Sequence, residues 1–362
     1  MKKMKAVFKV SKESGKKGTE IREVALPEPE EGEVLVKVKA TSICGTDRHI
    51  YKSDPSIMKS LKVPVIYGHE FCGFIHSFGK NTKSHFFKEG DYVSSEMHKV
   101  CGFCYQCRTG RGHICENTKI LGVHDDGCFA EYVKVPLSNL VKLPENLKPE
   151  IASFLDALGN AVHTIQPVKI SGKNVLILGY GPIGAMSASL CEFLEAKKIF
   201  ITEISDMGIN FARTWVKKKN LDERVFVIDV KDKKEEEQVK EIFDLCPEGI
   251  DTLLEISGAE SALNMGLKTL RRGGEVSLLG IPSRSNLNIN DYTNDVIFKG
   301  ITLYAIIGRR MFETWYQMLD LLQSGLDLSH IPNKIYKGLD NFFDGMEDFV
   351  SHKALKAVFM ME

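Results

Sequence analysis

The stretch NVLILGYGPIG, residues 174–184, constrains this chain more than any other. An apolar strand-like run enters Gly179-x-Gly181-x-x-Gly184, and IGAMSASLCEFLEA then reads as a helix. Glycines there allow a tight turn and let the backbone approach a pyrophosphate, while a helix N-terminus supplies free N–H groups and a positive dipole end. Ile183 lies inside this loop. Further on, KIFITE, RVFVIDV, DTLLEI and EVSLLG alternate with longer helical stretches as far as 305, the rhythm of βαβ units and a parallel sheet. KIFITE ends at Glu203, nineteen residues past Gly184. A carboxylate there can accept from a ribose 2′-hydroxyl and would repel a 2′-phosphate, which favours NAD over NADP. Leu279, Gly280 and Ile281 close another strand, where the loops of an open sheet meet a ligand. A purely structural glycine turn is the alternative.

Residues 1–158 have a different texture. Short β-rich runs such as EVLVKVKAT, EFCGFIHSFG and CFAEYVKVP are separated by turn residues. The tail, 306–362, is too short for a domain and is expected to pack back onto this first region. The expected class is therefore α/β, with a mostly-β domain over 1–158 completed by 306–362 and a doubly wound nucleotide-binding domain over 159–305. Basic and acidic residues number 48 each, so the formal net charge is zero. No long-range field draws this chain to nucleic acid or an anionic membrane. No run of about 20 apolar residues is available to span a bilayer, and MKKMKAVFKV lacks the apolar segment of a signal peptide. The expected compartment is the cytoplasm and the expected partner a small molecule.

Nine cysteines in a cytosolic chain suggest metal more than disulfides. Cys101, Cys104, Cys107 and Cys115 follow C-x2-C-x2-C-x7-C. Four thiolates so spaced can close around one tetrahedral zinc with no open position. An iron–sulfur cluster and a nucleic-acid-binding zinc ribbon are alternatives. Cys44 in SICGTDRHIY, with His69 and Glu70 in YGHEF, can hold a second zinc that keeps a position open for water or substrate. Each residue alone has a plainer reading, as a small buried thiol or a satisfied polar group. His98, just before the cysteine loop, is a weaker candidate for a substrate pocket.

The order C-G-T-D-x-H, G-H-E, C-x2-C-x2-C-x7-C and G-x-G-x-x-G resembles the zinc-dependent medium-chain alcohol dehydrogenase family over nearly the whole chain. ICGTDRHIY, GCFAEYV, LGNAVHT, VIFKG and above all GRRMFETWYQMLDLLQSGLDLS are similar to the branch that oxidises the hydroxyl of L-threonine. The resemblance implies a GroES-like catalytic domain, an inserted Rossmann domain, one catalytic and one structural zinc, NAD and a homotetramer. It also implies hydride transfer from a secondary alcohol, with Thr46 taking the proton first and His49 releasing it. Thr46 with Asp47 could instead simply cap a helix. Asp156 is implied as a fourth zinc ligand or a tuner of that relay, or it caps a helix. A polyol or butanediol-type substrate is the enzyme alternative, and a non-catalytic zinc and nucleotide-binding module the remote one. Three positions depart from the pattern. Ala157 stands where proline is usual, Gly208 where an arginine often reaches the adenosine end, and Ile306-Ile307-Gly308 where Ile-Tyr-Gly is common beside the nicotinamide.

Overall fold

A computed structural model describes residues 2–282, 284 and 286–362. The chain divides into two compact units. The first holds the residues up to Ala157 with Arg310–Asp320 and Pro332–Glu362; the second holds Leu158–Arg309 with Leu321–Ile331.

The first unit is built on a seven-stranded sheet. Strand β1 (Glu33–Ser42) pairs antiparallel with β2 (Glu70–Phe78), placing Ser42 opposite Glu70, and β2 pairs with β3 (Tyr92–Ser95). Val34, Val36 and Val38 alternate along β1, and all three are buried in one apolar cluster with Phe71, Ile75 and Phe129. The rings of Tyr67, Phe129 and Phe342 meet edge-on with centroids 5.1–5.7 Å apart. This packing forces the turn before His69. Gly68 has φ +95°, and a Cβ there would sit 2.6 Å from the Phe129 ring, so only glycine fits.

The second unit carries six parallel strands: β4 (Asn174–Leu178), β5 (Lys198–Glu203), β6 (Val225–Asp229), β7 (Ile250–Glu255), β8 (Leu270–Leu278) and β9 (Thr302–Ala305). Their order is β6-β5-β4-β7-β8-β9. Strand order reverses between β4 and β7, the crevice where doubly wound sheets take a dinucleotide. The apolar runs that read as strands are buried on both faces, as a helix-covered parallel sheet requires. The α/β expectation holds.

The first sheet is closed by the chain's last strand, β10 (Ala357–Met360), which pairs antiparallel with Ala40–Ser42. The tail is nevertheless not one closing segment, as the sequence reading had it. Residues 306–309 and Leu321–Ile331 belong to the second unit. The reason is aromatic and ionic. His330 stacks on Trp215 with centroids 5.4 Å apart and its Nε2 lies 3.4 Å from Ser189 Oγ, while Asp327 pairs with Lys219 at 2.6 Å.

Burial pushes the His330 imidazole down to about 4, against a pull upward from Asp327. The unfolded chain therefore takes up a proton here at higher pH than the folded one. The folded state keeps its full stability above about pH 6.5 and loses it as pH falls toward 4. In H330F the loss between pH 7 and pH 4.5 should shrink by about 2 kcal/mol. Urea denaturation at the two pH values measures it, and an equal acid loss in both proteins would refute the assignment.

Candidate active site

Helix α1 (Gly45–Lys52) begins directly after Cys44. Asp47, not Thr46, fixes that start: its Oδ2 accepts from the Cys44 backbone N–H at 2.8 Å. Its other oxygen lies 3.6 Å from His69 Nδ1. One buried carboxylate thus secures the helix and faces the imidazole, the arrangement that orients metal-binding histidines. Sequence reasoning weighed Asp47 only as a cap. Thr46 and His49 lie three residues apart on α1 and so share a face. His49 Nδ1 is 3.1 Å from Asp54 Oδ2 at a half-exposed position.

Cys44, His69 and Glu70 offer ligand atoms that lie within 4.8 Å of one another. Among the described residues neither ring nitrogen of His69 has a hydrogen-bond partner, nor does Glu70 Oε1. Burial alone would lower the His69 pKa, but Asp47, then Cys44 and Asp156, outweigh it and hold it up at about 10. Anionic groups therefore crowd a buried histidine whose nitrogens are orphaned. A cation answers both conditions, so these residues fit a zinc ion. Asp156 is buried in the first turn of the helix Leu155–Ile165 and acts on His69 through its charge, but it is not one of the three. Ala157 also lies in that first turn, where proline would be tolerated, so this departure leaves the helix start intact.

Glu70 is held from its other side. Its Oε2 accepts from Lys356 Nζ at 2.5 Å and from the Ser42 hydroxyl. Lys356 Nζ also donates to Ile43 O at 2.9 Å and lies 6.0 Å from the Phe154 ring. Both charged side chains are almost fully buried. Neither Ser42 nor Lys356 was legible beforehand; 313 positions separate Lys356 from Ile43, and no local pattern links them.

The four-cysteine loop passes a sharper test. Cys115 Sγ lies 3.6 Å from Cys101 Sγ and 3.8 Å from Cys104 Sγ. The edge of a tetrahedron with Zn–S bonds of about 2.3 Å is about 3.8 Å. Backbone N–H groups of Cys104 and Asn117 point at Cys101 and Cys115 sulfurs. Backbone N–H groups of Phe103 and Cys104 pull the Cys101 thiol down to about 6, while burial and then the neighbouring thiols push Cys107 up to about 12. Four sulfurs cannot share that space as anions without a metal, and these residues fit one.

In the second unit Gly179 turns with φ +96° and Gly181 caps helix α2 (Pro182–Phe193). A Cβ on Gly184 would lie 2.2 Å from Gly179 O, so the helix sits hard against the turn. Ile183 lies in the first turn of α2 and is half-buried. Glu203, at the end of β5, accepts from Tyr180 N at 2.7 Å and from Ile204 and Ser205 N, both at 2.8 Å. The ribose-binding candidate is thus fastened to the glycine loop. Gly208 makes this possible, because a Cβ there would lie 2.8 Å from Glu203 Cγ. Leu279 and Gly280 N–H groups bond Glu255 O, and Ile306 N–H bonds Leu278 O. Ile281 and Ile307 are exposed at the same ends of β8 and β9.

The family description "alcohol dehydrogenase GroES-like domain" matches residues 30–145, and "zinc-binding dehydrogenase" matches 182–324. The chain belongs to the zinc-dependent medium-chain alcohol dehydrogenase family. Within it, the chain is 44% identical to an L-threonine 3-dehydrogenase of Pyrococcus horikoshii, over 95% of this chain and 96% of that one. It is 40% identical to the L-threonine 3-dehydrogenase of Pseudoalteromonas translucida, over 98% and 99%. A solved 2R,3R-butanediol dehydrogenase from Bacillus subtilis superposes with TM-score 0.83 at 25% identity, covering 99% of each chain.

K356M strips the Glu70 carboxylate of its cation. The loss in urea denaturation should be about 3–5 kcal/mol. E70Q/K356M should recover most of it. A K356M protein as stable as the parent would mean that the pair contributes nothing.

Proposed function

We propose that this chain oxidises the secondary hydroxyl of L-threonine to 2-amino-3-oxobutanoate with NAD, in cytoplasmic threonine catabolism, and carries two zinc ions. The observation that carries this reading is the 44% identity to an L-threonine 3-dehydrogenase, which runs through both units. The butanediol dehydrogenase shares the architecture at 25% identity.

Cys44, His69 and Glu70 would hold the catalytic zinc, which supplies Lewis-acid chemistry toward an alcohol oxygen. Cys101, Cys104, Cys107 and Cys115 would hold the structural one. NAD supplies the hydride acceptor. The rest falls to side chains. Asp47 orients His69, and Lys356 with Ser42 turns Glu70 so that Oε1 faces the metal site. The Thr46 hydroxyl takes the substrate proton. His49 then carries it on Nε2, since Nδ1 faces Asp54, and releases it to solvent. Asp156 adds negative charge beside His69 and tunes this relay. Gly179, Gly181, Ile183 and Gly184 would cradle the pyrophosphate. Glu203 would receive the adenosine ribose, and Leu279, Gly280, Ile281, Ile306 and Ile307 would line the path to the nicotinamide.

We infer a homotetramer as well. Strand β9 is the edge of its sheet and exposes Leu303, and Ile297 and Phe298 are exposed in the chain segment just before it. An apolar edge of this kind invites a second copy, and it would provide one of the two interfaces a tetramer needs. L303K should lower the mass measured by light scattering, and an unchanged tetramer would exclude this edge.

The substrate reading is tested by NADH formation from L-threonine, sorbitol and 2,3-butanediol, with NADP run in parallel. Threonine with NAD should be the strongly preferred pair. Metal analysis should give two zinc ions per chain, and C44S should retain one while losing turnover. Turnover of a diol but not threonine would overturn the substrate, and undiminished oxidation by C44S the mechanism.

A further inference from the structure

The proposed relay ends at His49, and the way α1 stops decides how that imidazole is held. Ser53, the residue after the helix, has φ +57°, in the left-handed region. Its N–H bonds Ile50 O at 3.1 Å, and the Asp54 N–H bonds His49 O at 2.9 Å. Paired bonds of this kind close many helices, and they fold the residue after the turn back onto the last full turn of the helix. The two side chains that meet there are commonly apolar. Here they are Asp54 and His49, with Oδ2 and Nδ1 3.1 Å apart.

Both sides of this turn are fastened. Asp54 caps the helical turn Pro55–Met58, and its Oδ1 accepts from the Ser56 N–H at 3.0 Å and from the Ser56 hydroxyl at 2.8 Å. The Ser56 backbone N–H, then the Ser56 hydroxyl and His49, hold the Asp54 carboxyl below the usual carboxylate range. From within, Lys9 grips Ser53. Lys9 ends the strand Lys3–Lys9 and is fully buried. Its Nζ donates to Ser53 Oγ at 2.8 Å and to Glu13 O at 2.6 Å, and the Ser53 hydroxyl donates to the same carbonyl at 2.9 Å. A serine in the left-handed region is strained relative to glycine, and these bonds keep it there.

We propose that Asp54 is a positioning residue for the relay, pinning the proton of neutral His49 on Nδ1 so that the Nε2 lone pair is the one free to take the proton passed on by Thr46. A carboxylate at Nδ1 demands a proton there, and the neutral ring then accepts only through Nε2. Once Nε2 is protonated the ring is a cation beside a carboxylate. When Nε2 releases that proton to solvent, the Nδ1 proton has not moved and the ring is ready again. Without Asp54, water faces both nitrogens of this half-exposed ring, and nothing selects the tautomer. This inference rests on the relay reading of His49 and names the residue through which the turn after α1 serves it.

D54A removes the carboxylate, and S56A only loosens its cap. Solid-state ¹⁵N spectra of the histidine-labelled, zinc-loaded enzyme at pH 8.5, with the His49 signals assigned by their absence in H49A, should report Nδ1–H in the parent and in S56A. In D54A they should report predominantly Nε2–H, the form that a histidine side chain prefers in water. The single-turnover rate of NADH formation from L-threonine should fall about fivefold in D54A, the worth of one ion pair at a half-exposed site, and stay unchanged in S56A. In the H49A background D54A should cost nothing further, because a residue that acts only through His49 has nothing left to act on. Retention of Nδ1–H in D54A, or a second fivefold loss in H49A/D54A, would overturn the inference. Should H49A form NADH at the parent rate, the relay reading fails alone. The spectra then still decide whether Asp54 sets the tautomer.

Discussion

Two opposite charges, Glu70 and Lys356, lie buried side by side and set the terms for the first unit. Removing either ion from water costs several kcal/mol, and a buried pair is tolerable only when the remaining donors and acceptors are also met. Ser42 and the Ile43 carbonyl meet them. Because Lys356 immediately precedes the last strand and Ser42 ends β1, the pair ties the tail of the chain to the residues beside Cys44. It also leaves the other Glu70 oxygen, Oε1, without a hydrogen-bond partner among the described residues. A helix start fixed by Asp47 and a glycine turn forced by the Phe129 ring bring Cys44 and His69 to the same place.

Both candidate metal sites gather negative charge that the fold does not neutralise by itself. Around His69 the acceptors outnumber the donors, and in the cysteine loop sulfurs approach within the edge length of a zinc tetrahedron. The nucleotide unit solves the reverse problem with backbone alone. A tight turn and a helix start offer N–H groups to an anionic ligand, while Glu203 is pinned by three N–H groups of its own. Its charge stays where a ribose would meet it, and Gly208 supplies the space in which the side chain folds back.

Local features were legible in the sequence. The spacing of Cys101, Cys104, Cys107 and Cys115 and the run of Gly179, Gly181 and Gly184 each lie within a single loop or turn, so chain connectivity already places their atoms near one another. Cys44, His69 and Glu70 were legible as a set only because their residue types fit one chemistry. Lys356, Lys9 and the double role of Asp47 were not, since each acts through a partner that nothing in its own neighbourhood announces. The tail was misread for the same reason. Its composition does not say that His330 will stack on Trp215 and take residues 321–331 into the second unit.

By itself the sequence determined the parallel-sheet unit, the turn that opens toward a phosphate, and the kinds of atoms able to bind metal. These depend on periodicity, on glycine's lack of a side chain and on ligand chemistry, all properties of short segments. Tertiary structure alone decided which carboxylate faces which imidazole, which lysine neutralises Glu70, and which lysine grips Ser53. Those choices depend on burial and on contacts between distant segments, where a charge or donor left without a partner would cost more than the fold can spare.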